Sequence, residues 1–97
     1  MKKIRLLFQG DSITDAGRNR ENPYDLGNGY PRFAAKYILE KYNDIDFDFI
    51  NLGISGNNTA DLVERLQKDF LDIHADIISI LIGINDCWRN IEKDTFI

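Results

Sequence analysis

Apolar residues along the chain form three short runs that predict strands. The run from Lys3 to Gln9 is nearly continuous, as expected of a strand buried on both faces. In the run from Phe47 to Leu52, phenylalanine alternates with aspartate, which is typical of a half-solvated edge strand. The run from Asp76 to Ile82 is rich in isoleucine and again predicts burial on both faces.

Amphipathic helices are predicted between these strands. The first begins near Tyr30, with Pro31 in its first turn, and ends near Tyr42. Its apolar residues recur at the spacing of one helix face: Tyr30, Phe33, Ala34, Tyr37 and Ile38. The second begins at Asn58 or Thr59 as the N-cap and is expected to run as one helix along a single apolar stripe: Leu62, Val63, Leu66 and Phe70.

The remaining segments are polar. The stretch from Asp15 to Asn28 is dense in Gly, Asn, Asp and Arg and predicts a long loop, and loops of that length usually carry function. From Cys87 onward the sequence predicts the start of another helix. The order strand, helix, strand, helix, strand indicates parallel strands joined by right-handed crossovers, which is a doubly wound α/β sheet.

With the second strand at the edge, the predicted strand order is 2-1-3. The polar turns around Ser12, Gly56 and Asn85 then each follow the carboxyl end of a strand. Since the carboxyl ends of parallel strands open on the same side of a sheet, these turns are expected to converge where such sheets bind ligands.

Composition narrows the class of protein. The 97 residues are 43% hydrophobic and 29% charged, which is typical of one globular domain with a modest core. Twelve basic and sixteen acidic residues give a net charge of −4, which argues against a nucleic-acid partner. The apolar run after Met1 is shorter than a signal peptide or a membrane span requires, so a cytoplasmic protein without membrane association is expected.

Metal and cofactor chemistry is not expected. A single cysteine, Cys87, and a single histidine, His74, offer neither a disulfide nor a zinc cluster. Asp11, Asp15 and Asp86 are the residue type that binds Mg²⁺. They are instead expected to accept hydrogen bonds from turn backbone, with Asp11 orienting the loop of Ser12.

Ser12 is the first candidate for chemistry. A serine hydroxyl becomes a useful nucleophile beside a base, and acyl transfer also needs donors aimed at the developing oxyanion. The backbone N–H of Ser12, the N–H of Gly56 and the side-chain amide of Asn85 are candidate donors. Each residue alone is equally consistent with capping a helix or shaping a turn, but together they favour a hydrolase.

These same residues carry a family resemblance. Gly10-Asp11-Ser12-Ile13, the glycine of Ser55-Gly56-Asn57, and Gly83-Ile84-Asn85-Asp86 resemble the first three conserved blocks of the SGNH, or GDSL, hydrolases. The residues that flank these blocks are most similar to those of bacterial acetylxylan esterases. The resemblance implies a flavodoxin-like, three-layer α/β/α fold and a serine esterase. It assigns Ser12 as nucleophile and first oxyanion donor, Gly56 as second and Asn85 as third.

The resemblance also implies a substrate and its contacts. A small acyl ester is expected, an acetylated sugar in particular, hydrolysed through an acyl-enzyme at Ser12. Asp11, Trp88 and Arg89 are the candidates for substrate binding, and assembly into a homo-oligomer is plausible. Two alternatives stay open: a lipase or lysophospholipase of the same family, and a flavodoxin-like module that binds phosphate or flavin. Against the second alternative, the sequence contains no Gly-x-Gly-x-x-Gly phosphate loop.

One family block has no counterpart in the sequence. The family supplies its base from an Asp-x-x-His pair, and residues 1–97 contain no such pair. His74 lies in Asp72-Ile73-His74, with the wrong spacing and at the far end of the third strand. The chain is therefore expected to be a single, C-terminally truncated domain that hydrolyses esters poorly alone and leaves a strand edge exposed.

Overall fold

The computed structural model describes residues 2–90 and, for 88–90, the backbone only. Strands β1 (Lys2–Gly10), β2 (Ile45–Asn51) and β3 (Ile77–Leu81) form one parallel sheet in the order β2-β1-β3. The predicted α/β class, the parallel sheet and the strand order 2-1-3 are confirmed. β1 is central because it is the strand whose pattern is most continuously apolar, and its residues from Leu6 to Gly10 are all buried.

The helices occupy the connections. They are α1 (Ser12–Asp15), α2 (Tyr30–Lys41), α3 (Thr59–Glu64), α4 (Leu66–Asp69) and α5 (Ile84–Asn90), with a 3₁₀ turn at Leu71–Ile73. Among the described residues the longest helix is α2, at 12 residues, whereas a membrane span needs about 20 apolar residues. No helix within residues 2–90 meets that requirement.

Helices cover both faces of the sheet. Phe8 of β1 meets Tyr30 of α2 edge to face, with ring centroids 5.9 Å apart, and stacks on Phe49 of β2 on the same face. On the opposite face the buried side chain of Gln9 donates to the carbonyl of Asp69 in α4 at 3.0 Å. The predicted three-layer arrangement is therefore present in this part of the chain.

The predicted apolar face of α2 is partly wrong. Phe33 and Tyr37 are 65% and 61% exposed, while Pro31 and Ala35 are buried against the sheet. The aromatic rings of Phe8 and Phe49 occupy part of the space beneath this helix, where Phe8 meets Tyr30. Small side chains therefore face the sheet, and the bulky ones are displaced toward solvent.

The second predicted helix is not continuous. Its N-cap is confirmed, because the side chain of Asn58 accepts from the N–H of Asp61, and the Asp61 carboxylate accepts from the N–H of Asn58 in return. The helix is interrupted at Arg65, where φ is −104° and ψ is 20°, so the segment forms α3 and α4. The guanidinium of Arg65 reaches the end of the sheet, as described below.

The predicted burial of the third strand on both faces is wrong for these residues. Four of its apolar side chains are between 42% and 53% exposed: Ile77, Ile78, Ile80 and Leu81. Within residues 2–90, β3 pairs only with β1 and forms an edge of the sheet. The strand edge expected from the sequence is thus exposed.

Candidate active site

Ser12 lies directly beyond the carboxyl end of the central strand. β1 ends at Gly10, where a Cβ atom would collide with the carbonyl of Leu81 and the hydroxyl of Thr14, so only glycine fits this turn. The next residue, Asp11, is 1% exposed and caps α1 by accepting from the N–H of Ile13 at 3.0 Å. The capped helix presents Ser12 as its first residue, exposed to solvent.

A second turn, residues 52–58 between β2 and α3, lies beside Ser12. Its backbone continues alongside β1. The N–H of Leu52 donates to the carbonyl of Phe8, and the N–H of Ile54 donates to the carbonyl of Gly10, each at 3.0 Å. Gly56 has a φ of +88° and open space where a Cβ would lie. This turn therefore requires glycine for its backbone conformation, whether or not the N–H of Gly56 also binds an oxyanion.

Asp15 connects α1 to this second turn. Its carboxylate accepts from the N–H of Ser55 at 2.8 Å and pairs with Arg20 at 2.5 Å. Between these elements lies a polar cleft of about 380 Å³, which we call the Ser12 cleft. Its lining is Ser12, Asp15, Ala16, Gly17, Arg18, Arg20 and Ser55.

Arg18 is the buried cation of this cleft. Its side chain is 3% exposed, donates from Nε to the carbonyl of Gly53 at 2.8 Å and lies 3.5 Å from a carboxylate oxygen of Asp15. Burial lowers the pKa of Arg18 from its ordinary value, and the Asp15 carboxylate opposes that shift. Its Nη1 atom has no hydrogen-bond partner among the described residues, which is uncommon for a buried charged group.

The third turn is attached to the second. The side-chain amide of Asn85 donates to the carbonyl of Asn57 at 2.8 Å. Asp86 accepts from the hydroxyl of Thr59 at 2.7 Å and from its N–H at 2.9 Å. All three predicted turns are thus joined at the carboxyl end of the sheet. Of the described residues, the lining of the Ser12 cleft includes Ser12 and Ser55 but neither Gly56 nor Asn85.

The carboxylates behave as the sequence indicated. Asp11, Asp15 and Asp86 each accept from a backbone N–H, that of Ile13, Ser55 and Thr59 respectively. Residues 2–90 contain no group of three or more His, Cys, Asp or Glu side chains arranged to hold a metal ion. The burial of Asp11 favours a role in fixing Ser12 over direct contact with a substrate. The side chains of Trp88 and Arg89, the other predicted substrate contacts, lie outside the described residues.

Two residues at this end of the sheet were missed by the sequence reasoning. Asn51 is fully buried and binds the carbonyls of Thr14 and Leu26 and the N–H of Gly53 at 2.9, 3.1 and 3.0 Å. The sequence did hold a signal for Asn51, since it is a polar residue at the end of a predicted strand. The other is Arg65, whose helical spacing gave no indication that its side chain binds strand ends.

Comparisons with known proteins agree with this arrangement. An acetylxylan esterase of Geobacillus stearothermophilus is 43% identical in an alignment of 89 residues that covers 88% of this chain and 41% of that protein. Its crystal structure superposes with a TM-score of 0.84 at 38% identity, over 95% of this chain and 44% of the other. A GDSL-like lipase of Parabacteroides merdae gives a TM-score of 0.88 at 41% identity, with the same coverage of 95% and 44%.

The chain thus spans less than half the length of these relatives, 41% to 44%. Residues 8–97 match the family of GDSL-like lipases and acylhydrolases. Together with the parallel sheet and the serine at the end of its central strand, this match shows that the chain belongs to the GDSL-like lipase/acylhydrolase family.

Proposed function

We propose that the protein is a serine esterase that hydrolyses short-chain acyl esters of carbohydrate, acetyl esters above all, through an acyl-enzyme at Ser12. The observation that carries this proposal is the placement of Ser12. It is exposed at the carboxyl end of the central strand, and the buried cap of Asp11 and the steric requirement at Gly10 fix its backbone. A fixed backbone around an exposed hydroxyl is what a positioned nucleophile requires.

The oxyanion would be bound by donors from all three turns. The hydroxyl oxygen of Ser12 attacks the ester carbonyl as the general base takes its proton, and the N–H groups of Ser12 and Gly56 and the amide of Asn85 stabilise the negative oxygen. The bond to the alcohol then breaks, the alcohol leaves with that proton, and water hydrolyses the acyl-enzyme to the free acid. A primary amide nitrogen carries two hydrogens. The bond from Asn85 to Asn57 uses one of them and orients the other. Removing one such donor typically costs about 10²–10³-fold in kcat.

The substrate class follows from the cleft and from the relatives. At about 380 Å³ with polar walls, the Ser12 cleft suits an acetyl group and part of a sugar better than a long acyl chain. The Geobacillus stearothermophilus relative is described as an acetyl-xylooligosaccharide esterase. We propose the same class of substrate here, with Trp88 and Arg89 following the third turn as further contacts. A lipase or lysophospholipase of the same family is the alternative.

The general base would come from polypeptide outside these 97 residues. His74 is exposed and precedes β3, at the end of the strand opposite to Asn85. In the Geobacillus stearothermophilus relative, two variants, one with a serine and one with a histidine replaced by alanine, are described as catalytic mutants. Losing the base of a serine hydrolase lowers turnover by about 10⁶-fold in the subtilisin case. The isolated chain is therefore expected to be nearly inactive.

Ester hydrolysis tests both parts of this proposal. Hydrolysis of p-nitrophenyl acetate would be measured for the 97-residue chain and for the same chain joined to the C-terminal part of the Geobacillus stearothermophilus relative. We expect the joined protein to be active and Ser12→Ala to abolish that activity. Ser55→Ala is the matched control, because it removes the other serine hydroxyl of the cleft and keeps the N–H that Asp15 binds.

The outcomes separate the alternatives. Equal activity of the Ser12→Ala variant and the unmodified protein would refute the assignment of Ser12. Strong hydrolysis by the isolated chain would refute an external base. Faster turnover of an octanoyl ester than of the acetyl ester would favour the lipase alternative.

A further inference from the structure

Arg65 interrupts a helix and places its guanidinium among the strand ends that surround the proposed active site. We propose that Arg65 is a positioning residue for ester hydrolysis, which fixes the second turn relative to Ser12 and Asn85. This inference rests on the proposed esterase function. It concerns a residue that touches none of the reacting atoms and acts through the backbone that carries them.

The guanidinium binds four groups from three segments: the end of β1, the second turn and α4. Its Nη1 donates to the carbonyl of Leu52, just beyond β2, at 2.9 Å, and its Nη2 donates to the carbonyl of Gly10, the last residue of β1, at 3.3 Å. Its Nε donates to the side chain of Asn57 at 2.9 Å. The carboxylate of Asp69 in α4 accepts from Nη1 at 3.1 Å, which completes the set.

Burial makes these contacts specific. The side chain of Arg65 is 13% exposed and that of Asp69 is 18% exposed, so the pair is largely shielded from solvent. A planar guanidinium offers donors in a fixed fork, whereas a lysine ammonium is a point charge on a flexible stem. Only arginine can satisfy this set of acceptors at their observed positions.

Two of these contacts, those with Gly10 and Asn57, lead directly to proposed catalytic groups. Gly10 is separated from Ser12 by the buried cap residue Asp11 alone. Asn57 follows Gly56, and its carbonyl accepts the amide of Asn85. Arg65 therefore holds the residue to which Asn85 is attached and the strand end from which Ser12 projects.

The cost of losing Arg65 should appear in turnover. Displacing catalytic groups by about 1 Å lowers rates by about 10²-fold, because the donors no longer meet the developing charge. Since Arg65 is not among the described residues that line the Ser12 cleft, Arg65→Ala should lower kcat by about 100-fold and change KM much less. Arg65→Lys should recover only part of this loss, because an ammonium cannot reproduce the fork.

Arg5 provides the matched control. It lies toward the amino end of β1, pairs with Asp48 at 2.8 Å and donates to the carbonyl of Ile73 at 2.7 Å. Arg5→Ala thus removes the same chemical group, an ion pair and a carbonyl contact, but at the end of the sheet away from Ser12. It should leave turnover unchanged.

Two measurements test the proposal independently. In the 97-residue chain, NMR would follow the side-chain amide resonances of Asn85 and the exchange of the backbone N–H of Asn57 in the Arg65→Ala and Arg5→Ala variants. We expect both signals to change in the first variant only. In the joined protein described above, kcat and KM would be measured for Arg65→Ala, Arg65→Lys and Arg5→Ala.

Unaltered Asn85 and Asn57 signals in Arg65→Ala, or equal changes in Arg5→Ala, would overturn the proposal. So would an unchanged kcat in Arg65→Ala. If Arg65→Ala does not fold, Arg65→Lys is subjected to the same NMR and kinetic comparison, and unaltered signals or turnover in that variant would count against the proposal in the same way. If Ser12 proves not to be the nucleophile, the NMR comparison still decides whether Arg65 positions these turns.

Discussion

The two ends of the sheet are built differently. Every buried polar or charged side chain among residues 2–87 lies at or beyond the carboxyl ends of β1 and β2: Gln9, Asp11, Thr14, Asp15, Arg18 and Asn51. At the amino end, Lys2 and Lys3 are exposed and the Arg5–Asp48 pair is partly exposed. An apolar groove of about 290 Å³ lies nearby, between α2 and the sheet, with Ile4 and Ile38 in its lining.

This contrast separates the candidate functional site at the carboxyl end from the ordinary protein surface at the amino end. Burying polar groups destabilises a fold unless each is hydrogen-bonded, and exposed ion pairs contribute only about 0–1 kcal/mol. The amino end needs few specific partners, whereas the carboxyl end concentrates groups that must all be satisfied together. Such concentration is costly unless fixed geometry serves a purpose, which supports the proposal that the active site lies at the carboxyl end.

The largest expected effect is at Gly10. A Gly10→Ala substitution places a methyl group against the Leu81 carbonyl and the Thr14 hydroxyl, at a φ of +158°. Backbone atoms cannot move aside cheaply, so we expect the free energy of unfolding to fall by more than about 4 kcal/mol. Urea unfolding would measure it. Lys3→Ala, at the exposed end of the same strand, should change the free energy by less than about 0.5 kcal/mol.

A sharper test makes the same substitution, asparagine to leucine, at each end of β2 and compares the losses of stability. Asn51→Leu removes three buried hydrogen bonds and leaves their backbone partners unsatisfied, so we expect a loss of about 3 kcal/mol. Asn43→Leu, at an exposed position before β2, should change stability by less than about 0.5 kcal/mol. Similar losses in the two variants, measured by urea unfolding, would remove the distinction between the ends.

The smallest effect is expected at Asp25, in the loop that borders the Ser12 cleft. Its partly exposed carboxylate accepts from the N–H groups of Asn19 and Gly27 at 2.8 and 3.0 Å, and these bonds lower its pKa below the ordinary value. A lowered pKa in the folded state means that the contribution to stability is present above the unfolded pKa. It is lost as the pH falls through the folded value.

An NMR titration of the Asp25 carboxyl carbon would measure this shift directly. In Asp25→Asn, the free energy of unfolding should depend slightly less on pH on the acidic side. The exposed ion pairs elsewhere should be unaffected at neutral pH. A pKa at or above the ordinary aspartate value would show that the loop bonds do not persist in solution.

Much of the fold was predictable because its signals are local. The continuous apolar run of β1 and the alternating run of β2 reflect how many faces of each strand are covered, and they predicted the order of the strands. The cap at Asn58 was also predictable, since it depends on residues within one helical turn. The placement of the turns that carry Ser12, Gly56 and Asn85 at one end of the sheet followed from topology alone.

The errors have a shared physical origin. Exposure of Phe33 and Tyr37 depends on which side chains from β1 and β2 occupy the space beneath α2. Exposure of β3 depends on whether another element covers it. The break at Arg65 depends on carbonyls that lie 13 and 55 positions away in the sequence. Local periodicity carries no information about any of these.

The sequence by itself determined the class of fold, the order of the strands and which three turns share one end of the sheet, because parallel topology follows from hydrophobic pattern and connection length. Only the tertiary structure decided how those turns are held. The turns are held by hydrogen bonds between the side chains of Asp15, Asn51 and Arg65 and backbone atoms distant in sequence. The three-dimensional arrangement of the strand ends decides which backbone atoms these are, because a buried polar group is stable only where a partner lies within reach.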